Sequence, residues 1–137
     1  MKDKAFIDTN LLLYLYSADE IDKQNKVKSA FYHYDCFIST QVLNEFSNVL
    51  SKKWKVPVPD IKMAINEIKQ YCTISFIDMN TIEKALSVHG KYRFSYYDSL
   101  MLASALLNDC QTILTEDMKD GQLIEESLAI KNIFNTE

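Results

Sequence analysis

The sequence has little of several things, and each shortage excludes something. Two glycines and two prolines in 137 residues leave too little turn material for an all-β sandwich or barrel. No apolar run approaches the roughly 20 residues of a membrane span. The start, Met1-Lys2-Asp3-Lys4, leads into a short strand-like run and not into the apolar stretch of a secretory signal. The three cysteines, Cys36, Cys72 and Cys110, are an odd number without a C-x-x-C pair. That argues against a zinc site or a disulfide framework and for a reducing cytosol, so the expected location is cytoplasmic. Positive charge is also short: Lys plus Arg is 15, Asp plus Glu is 19, and the net charge is −4. A protein held to nucleic acid by bulk positive charge is thereby excluded, whereas a nuclease with an acidic, metal-holding site is not. There is no Gly-rich phosphate loop, repeat or linker.

What is present is 47% hydrophobic residues in a chain of one-domain length, so residues 1–137 read as a single domain. Such a chain buries roughly 70% of its unfolded surface, enough for one core without disulfides. Ala5-Phe6-Ile7, Cys36-Phe37-Ile38, Ile74-Ser75-Phe76-Ile77, Thr112-Ile113-Leu114 and Ala129-Ile130-Lys131-Asn132-Ile133 read as five strands. Helices are expected between them. Asn10 to Tyr16 gives the first, and Val27, Ala30, Phe31 and Tyr34 at helical spacing give a second. Ser39 or Thr40 caps a third with the stripe Val42, Phe46, Val49, Leu50, Trp54. Pro57 and Pro59 open a fourth, faced by Ile61, Ile65, Ile68 and Cys72. Asn80 and Glu83 form a capping pattern for a fifth, with Ile82, Ala85, Leu86 and His89 on one face. Ser95 and Asp98 begin a sixth, apolar nearly all round from Leu100 to Leu107. Strands alternating with helices predict a parallel sheet covered on both faces.

Four acids stand where acids are unexpected or chemically useful. Asp8 directly follows the first strand, and Asp117 lies three residues beyond Leu114. Open parallel sheets bind ligands outside the carboxyl ends of their strands. Glu45 sits inside the apolar stripe of its helix, and Asp98 occupies the first turn of the most apolar one. Ordinary readings stand beside each: Asp8 and Asp98 as caps, Glu45 as a stripe-edge residue paired with lysine. If all four converge, two like charges 4 Å apart repel by about 4 kcal/mol at an effective dielectric near 20. Such a cluster protonates or binds a cation, and an all-oxygen set suits Mg²⁺ or Mn²⁺ over zinc.

These residues resemble a known family. Phe6-Ile7-Asp8-Thr9-Asn10 resembles the opening motif of PIN domains, a family of metal-dependent ribonucleases. Gln41-Val42-Leu43-Asn44-Glu45-Phe46 is similar to the second motif, and Ser95-Tyr96-Tyr97-Asp98-Ser99-Leu100 to the third. Leu114-Thr115-Glu116-Asp117-Met118 is similar to the fourth. The resemblance implies a three-layer α/β/α sandwich with a parallel five-stranded central sheet. It implies Mg²⁺ or Mn²⁺ held mainly by Asp8 and Asp98, with Asp117 and Glu45 holding metal-bound water or a second ion. Asn10 and Thr115 would orient carboxylates or water, and Thr9 would support the backbone. Glu116 or Asp117 could supply the fourth carboxylate, with the position of Thr115 favouring Asp117, and Asp120 is held in reserve. The implied activity is endoribonucleolytic hydrolysis of RNA. The small size is similar to VapC-type toxins of type II toxin–antitoxin systems, which implies an antitoxin partner and a homodimer.

Lys52-Lys53-Trp54-Lys55 and Lys91-Tyr92-Arg93 are candidate RNA contacts, and Ile61, Met63 and Ile65 a candidate antitoxin groove. For the first of these a solvated helix end is the stronger reading, and for the apolar stripe it is core packing. His89 reads as a packed, hydrogen-bonded core histidine, and His33 lies far from every motif. Histidine general-base chemistry is therefore not expected. Two rival functions remain: a phosphotransferase or phosphatase forming aspartyl-phosphate at Asp8, and a non-catalytic interaction module.

Overall fold

The computed structural model describes residues 1–135; the last two positions of the single-domain reading lie outside them. Six strands and six α-helices alternate among the described residues. The chain runs β1 (Asp3–Ile7), α1 (Thr9–Tyr14), α2 (Ile21–His33), β2 (Tyr34–Ser39), α3 (Thr40–Asn48), α4 (Val58–Tyr71) and β3 (Cys72–Ser75). It continues with α5 (Met79–Tyr92), α6 (Tyr96–Leu107), β4 (Thr112–Leu114), β5 (Leu123–Ile124) and β6 (Leu128–Lys131).

The sheet order is β3-β2-β1-β4-β6-β5. All pairings are parallel except β5 with β6, which is antiparallel. The chain moves outward from β1 to β3, then returns to lay β4 on the other side of β1. With right-handed crossovers, that reversal puts α1–α4 on one face and α5–α6 on the other. The result is the expected three-layer α/β/α arrangement. It also creates a switch point between β1 and β4, where an open sheet leaves its ligand crevice. Phe6, Ile7, Ile38, Ile113 and Leu114 are fully buried, because a parallel strand covered on both faces needs apolar residues on both. They share one core with Leu11, Leu12, Phe46 and Leu102. The buried run Ser99 to Ala105 makes α6 the central helix that its composition predicts.

Several local expectations move. Tyr34 begins β2 instead of ending α2, since its backbone is already extended. The third strand lies two residues earlier than its apolar run suggests. Pairing of Cys36 with Cys72 through Ser39 with Ser75 sets its register, so Cys72 starts the strand and Phe76 is left exposed. The α3 stripe does not stay in one helical register: a π-helical turn, Val49–Lys53, follows it, closed by Trp54 N donating to Val49 O at 3.0 Å. The cap of α5 is Asp78 with Thr81, not Asn80 with Glu83. Its buried face is consequently Thr81, Ala85 and Val88, while Leu86 and His89 are exposed. His89 is hydrogen-bonded as expected, its Nδ1 lying 2.6 Å from Phe94 O, but it is not in the core. The sheet gains a sixth strand, because two-residue β5 is too short to carry an alternating pattern; β6 ends at Lys131, and Ile133 opens a 3-10 turn.

Candidate active site

Asp8 sits at the junction that the topology singles out. It directly follows β1, and its backbone N–H donates to Leu114 O at 3.1 Å, tying it to the end of β4. As the N-cap of α1 its Oδ1 accepts from Thr9 N at 2.6 Å. Its Oδ2 accepts from Thr115 Oγ1, also at 2.6 Å. Capping and site placement therefore coincide. Asp8 is only 4% exposed. Burial pushes its carboxyl up to about 6, the Thr115 and Thr9 hydrogen bonds pull against this, and the charges of Asp117 and Asp98 push further upward.

The other acids arrive from separate elements. Glu45, one turn into α3, accepts from Thr9 Oγ1 at 2.6 Å. Asp117, just past β4, accepts from Asn10 Nδ2 at 2.6 Å, while its backbone N–H donates to Thr115 Oγ1 at 3.2 Å. Asp98 is in the first turn of α6, where its N–H donates to Ser95 Oγ at 3.1 Å. That is half of the capping pattern; the Asp98 carboxylate lines the cleft. It too is raised, by burial first; a side-chain hydrogen bond with Ser95 pulls against this, and the charges of Asp117 and Glu45 push further upward. Asp8, Asn10, Glu45, Asn48, Asp98 and Asp117 all border one cleft of about 380 Å³. Among the described residues no lysine, arginine or histidine borders it. Thr115 stands just behind, holding Asp8 and Asp117 in place.

The donor set is entirely oxygen, and the neighbouring negative charges add to burial in raising the proton affinity of Asp8 and Asp98. That chemistry fits a hard dication. The acids surround the cleft without forming a finished cage: among the described residues no three acidic, histidine or cysteine side chains are placed as a ready ligand set.

The two reserve acids are engaged elsewhere. Glu116 takes a hydrogen bond from Tyr14 and an ion pair from Lys23 at 3.0 Å. Asp120 accepts from Asn132 N at 2.9 Å and ties down the loop before β5. Two cleft features escaped the sequence reading. Thr9 does more than support the backbone, since its hydroxyl holds Glu45. Asn48 also borders the cleft, and its place three residues after Glu45 on α3 is the helical-face signal that points to it.

The PIN domain family model matches residues 5–119. The chain belongs to the PIN domain family. No curated protein matches the sequence. Among solved structures, a toxin–antitoxin complex from Klebsiella pneumoniae has a chain of 19% identity and TM-score 0.73, with 96% of this chain and 99% of that one covered. VapBC2 from Rickettsia felis, bound to a promoter DNA fragment, gives 15% identity and TM-score 0.67, covering 94% and 99%. VapC20 from Mycobacterium tuberculosis, described as a Sarcin-Ricin loop cleaving toxin, gives 16% and 0.64, covering 80% and 86%. At these identities the likeness is one of fold. No helix among the described residues is long and apolar enough to cross a membrane.

Proposed function

We propose that this PIN domain is a divalent-metal-dependent endoribonuclease and the toxin of a type II toxin–antitoxin pair. The observation that carries the nuclease reading is the cleft. Four carboxylates from four segments spread between positions 8 and 117 border it at the β1–β4 switch point, with no cationic side chain lining it among the described residues. Asp8 and Asp98 would be the main ligands of Mg²⁺ or Mn²⁺, with Asp117 and Glu45 completing the set. Such an ion, when bound, supplies Lewis acidity toward a phosphate and a lowered pKa for water.

The chain's own residues do the positioning. Thr115 and the Thr9 N–H fix both oxygens of Asp8. Thr9 and Asn10 aim Glu45 and Asp117. The start of α6 places the positive end of a helix dipole beside Asp98, which favours its ionised form. Lys52, in the π-helical turn that follows α3, is a candidate contact for an RNA phosphate leaving the cleft. The toxin reading draws on the similar structures, two of which are toxin–antitoxin assemblies. An antitoxin segment has a seat in the apolar groove of about 380 Å³ lined by Leu15, Tyr16, Phe31, Tyr32, Ile68 and Tyr71. The stripe Ile61, Met63, Ile65 fits this role less well: Ile61 is buried, Ile65 packs on the core and Met63 alone is exposed. Exposed Phe76, Met79 and Leu86, around the start of α5, are the candidate homodimer face.

The rival readings have less support. An aspartyl-phosphate enzyme would usually carry a second Asp two residues after Asp8, where Asn10 stands, and a lysine beside the phosphoryl group, which the cleft lining lacks among the described residues. A non-catalytic module explains Asp8 and Asp98 as caps, yet leaves Glu45 held toward the cleft from inside an apolar stripe without a reason. The test is RNA cleavage with Mn²⁺. Wild type is expected to cut, and Asp8→Asn and Asp98→Asn to abolish cutting with the fold intact by circular dichroism. Cutting that persists in excess EDTA would contradict the reading.

A further inference from the structure

Beside the acidic cleft lies a second cavity of about 430 Å³, and the two share Glu45 and Asn48. Its lining is of a different kind. Three carboxamides, Gln41, Asn44 and Asn48, border it together with Tyr97, Ile77 and Leu100. Among the described residues Glu45 is its only charged group, so nothing there neutralises a phosphate. A neutral, planar ligand with hydrogen-bonding edges and apolar faces suits it instead. The volume lies within the range of small-ligand sites.

Gln41 points to the same kind of ligand. It is only 7% exposed. Its Nε2 donates to Tyr97 O at 3.0 Å, and its Oε1 has no partner. Buried acceptors are nearly always satisfied, so Gln41, whose Oε1 is closed off from solvent, is a polar group that the chain leaves unpaired beneath the cavity wall. Tyr97 itself is 64% exposed, an aromatic ring held at the cavity by a backbone that Gln41 anchors. Aromatic rings of this kind stack on unpaired bases, while Asn and Gln amides read base edges.

We propose that this cavity receives one unpaired nucleobase of the RNA, from the nucleotide beside the phosphate cut in the acidic cleft. The base stacks on Tyr97, and its edge is read by Asn44 and Asn48, while Gln41 holds the Tyr97 backbone in place. The proposal rests on the nuclease reading and narrows it: Asn44, Asn48 and Tyr97 are the residues that choose the base beside the cut.

Two measurements test it. In the first, cut sites are mapped on an RNA pool with a randomised loop, using the Mn²⁺-loaded protein. Wild type is expected to favour one base about tenfold at a fixed position beside the cut. Asn44→Ala and Tyr97→Ala are expected to flatten that preference to about twofold or less; both side chains are exposed, so the fold survives. In the second, labelled single-stranded oligoribonucleotides are bound to Asp98→Asn protein, which does not cut. Intact oligomers should bind about tenfold more tightly than abasic ones of equal length, and adding Tyr97→Ala should erase the difference. Equal binding of intact and abasic oligomers, or an unchanged cut-site preference in both variants, overturns the base pocket while leaving the nuclease standing. Base-dependent binding by a protein that cuts no RNA supports the pocket and defeats the nuclease reading.

Discussion

Glu116 and Asp117 are neighbours in sequence and meet opposite surroundings. Glu116 turns toward Lys23, 3.0 Å away, and takes a further hydrogen bond from Tyr14, whose ring also lies under the lysine ammonium. Asp117 turns into a cleft where its side-chain partner is the neutral amide of Asn10 and its electrostatic neighbours are Asp8 and Asp98. One acid has a cation supplied by the chain; the other is placed among acids that have none. The first arrangement secures α1 and α2 against the β4 loop. The second makes sense when the missing charge comes from outside, so local charge balance separates the ion-paired acid from the proposed metal ligand more sharply than position in a motif does.

The comparison can be broken at either end, and the largest effect is expected at the cleft. Asp98→Asn should abolish Mn²⁺-dependent RNA cutting, whereas Glu116→Gln should leave the rate within about twofold, since a partly exposed ion pair contributes little beyond local stability. Equal losses in the two variants would erase the distinction drawn here. Next, Thr115→Val removes the hydroxyl that holds Asp8 and receives the Asp117 N–H. Loss of such an outer partner should weaken Mn²⁺ binding by about 10–100-fold, read by calorimetric titration.

A third effect is on stability and runs against function. The folded protein holds the Asp8 proton more tightly than the unfolded chain does, with a pKa raised from 3.8 to about 6. Its contribution is therefore most favourable below about pH 4 and is lost as pH rises through about 6. The shift corresponds to about 3 kcal/mol as an upper bound. Asp8→Asn should accordingly stabilise the metal-free protein at pH 7, and the gain should shrink at pH 4.5, read by chemical denaturation at both pH values. The smallest effect belongs to the other region: Glu116→Gln should cost about 1 kcal/mol or less, reduced by salt.

Much of this was legible in the sequence, and the reasons differ from part to part. Apolar runs such as Phe6-Ile7 and Ile113-Leu114 mark buried parallel strands, because no polar alternation competes with the reading. Glu45 was conspicuous because charge inside an apolar helical stripe needs a partner. The β3 register was not legible, since Ile74 to Ile77 is as apolar as the true strand and only pairing with β2 decides between them. The two residues of β5 leave no periodic trace. Thr9 read as backbone support because its target, Glu45, is 36 positions away and nothing local announces the bond. Gln41 looked like an ordinary first-turn residue; that its Oε1 is buried without a partner is a tertiary fact.

The central claim is that the acids around Asp8 exist to hold a hard dication. A calorimetric Mn²⁺ titration of wild type, Asp98→Asn and Glu116→Gln tests it most directly. Saturable binding in wild type and in Glu116→Gln, lost in Asp98→Asn, is the predicted result. No binding by wild type, or binding that Asp98→Asn leaves unchanged, would contradict it.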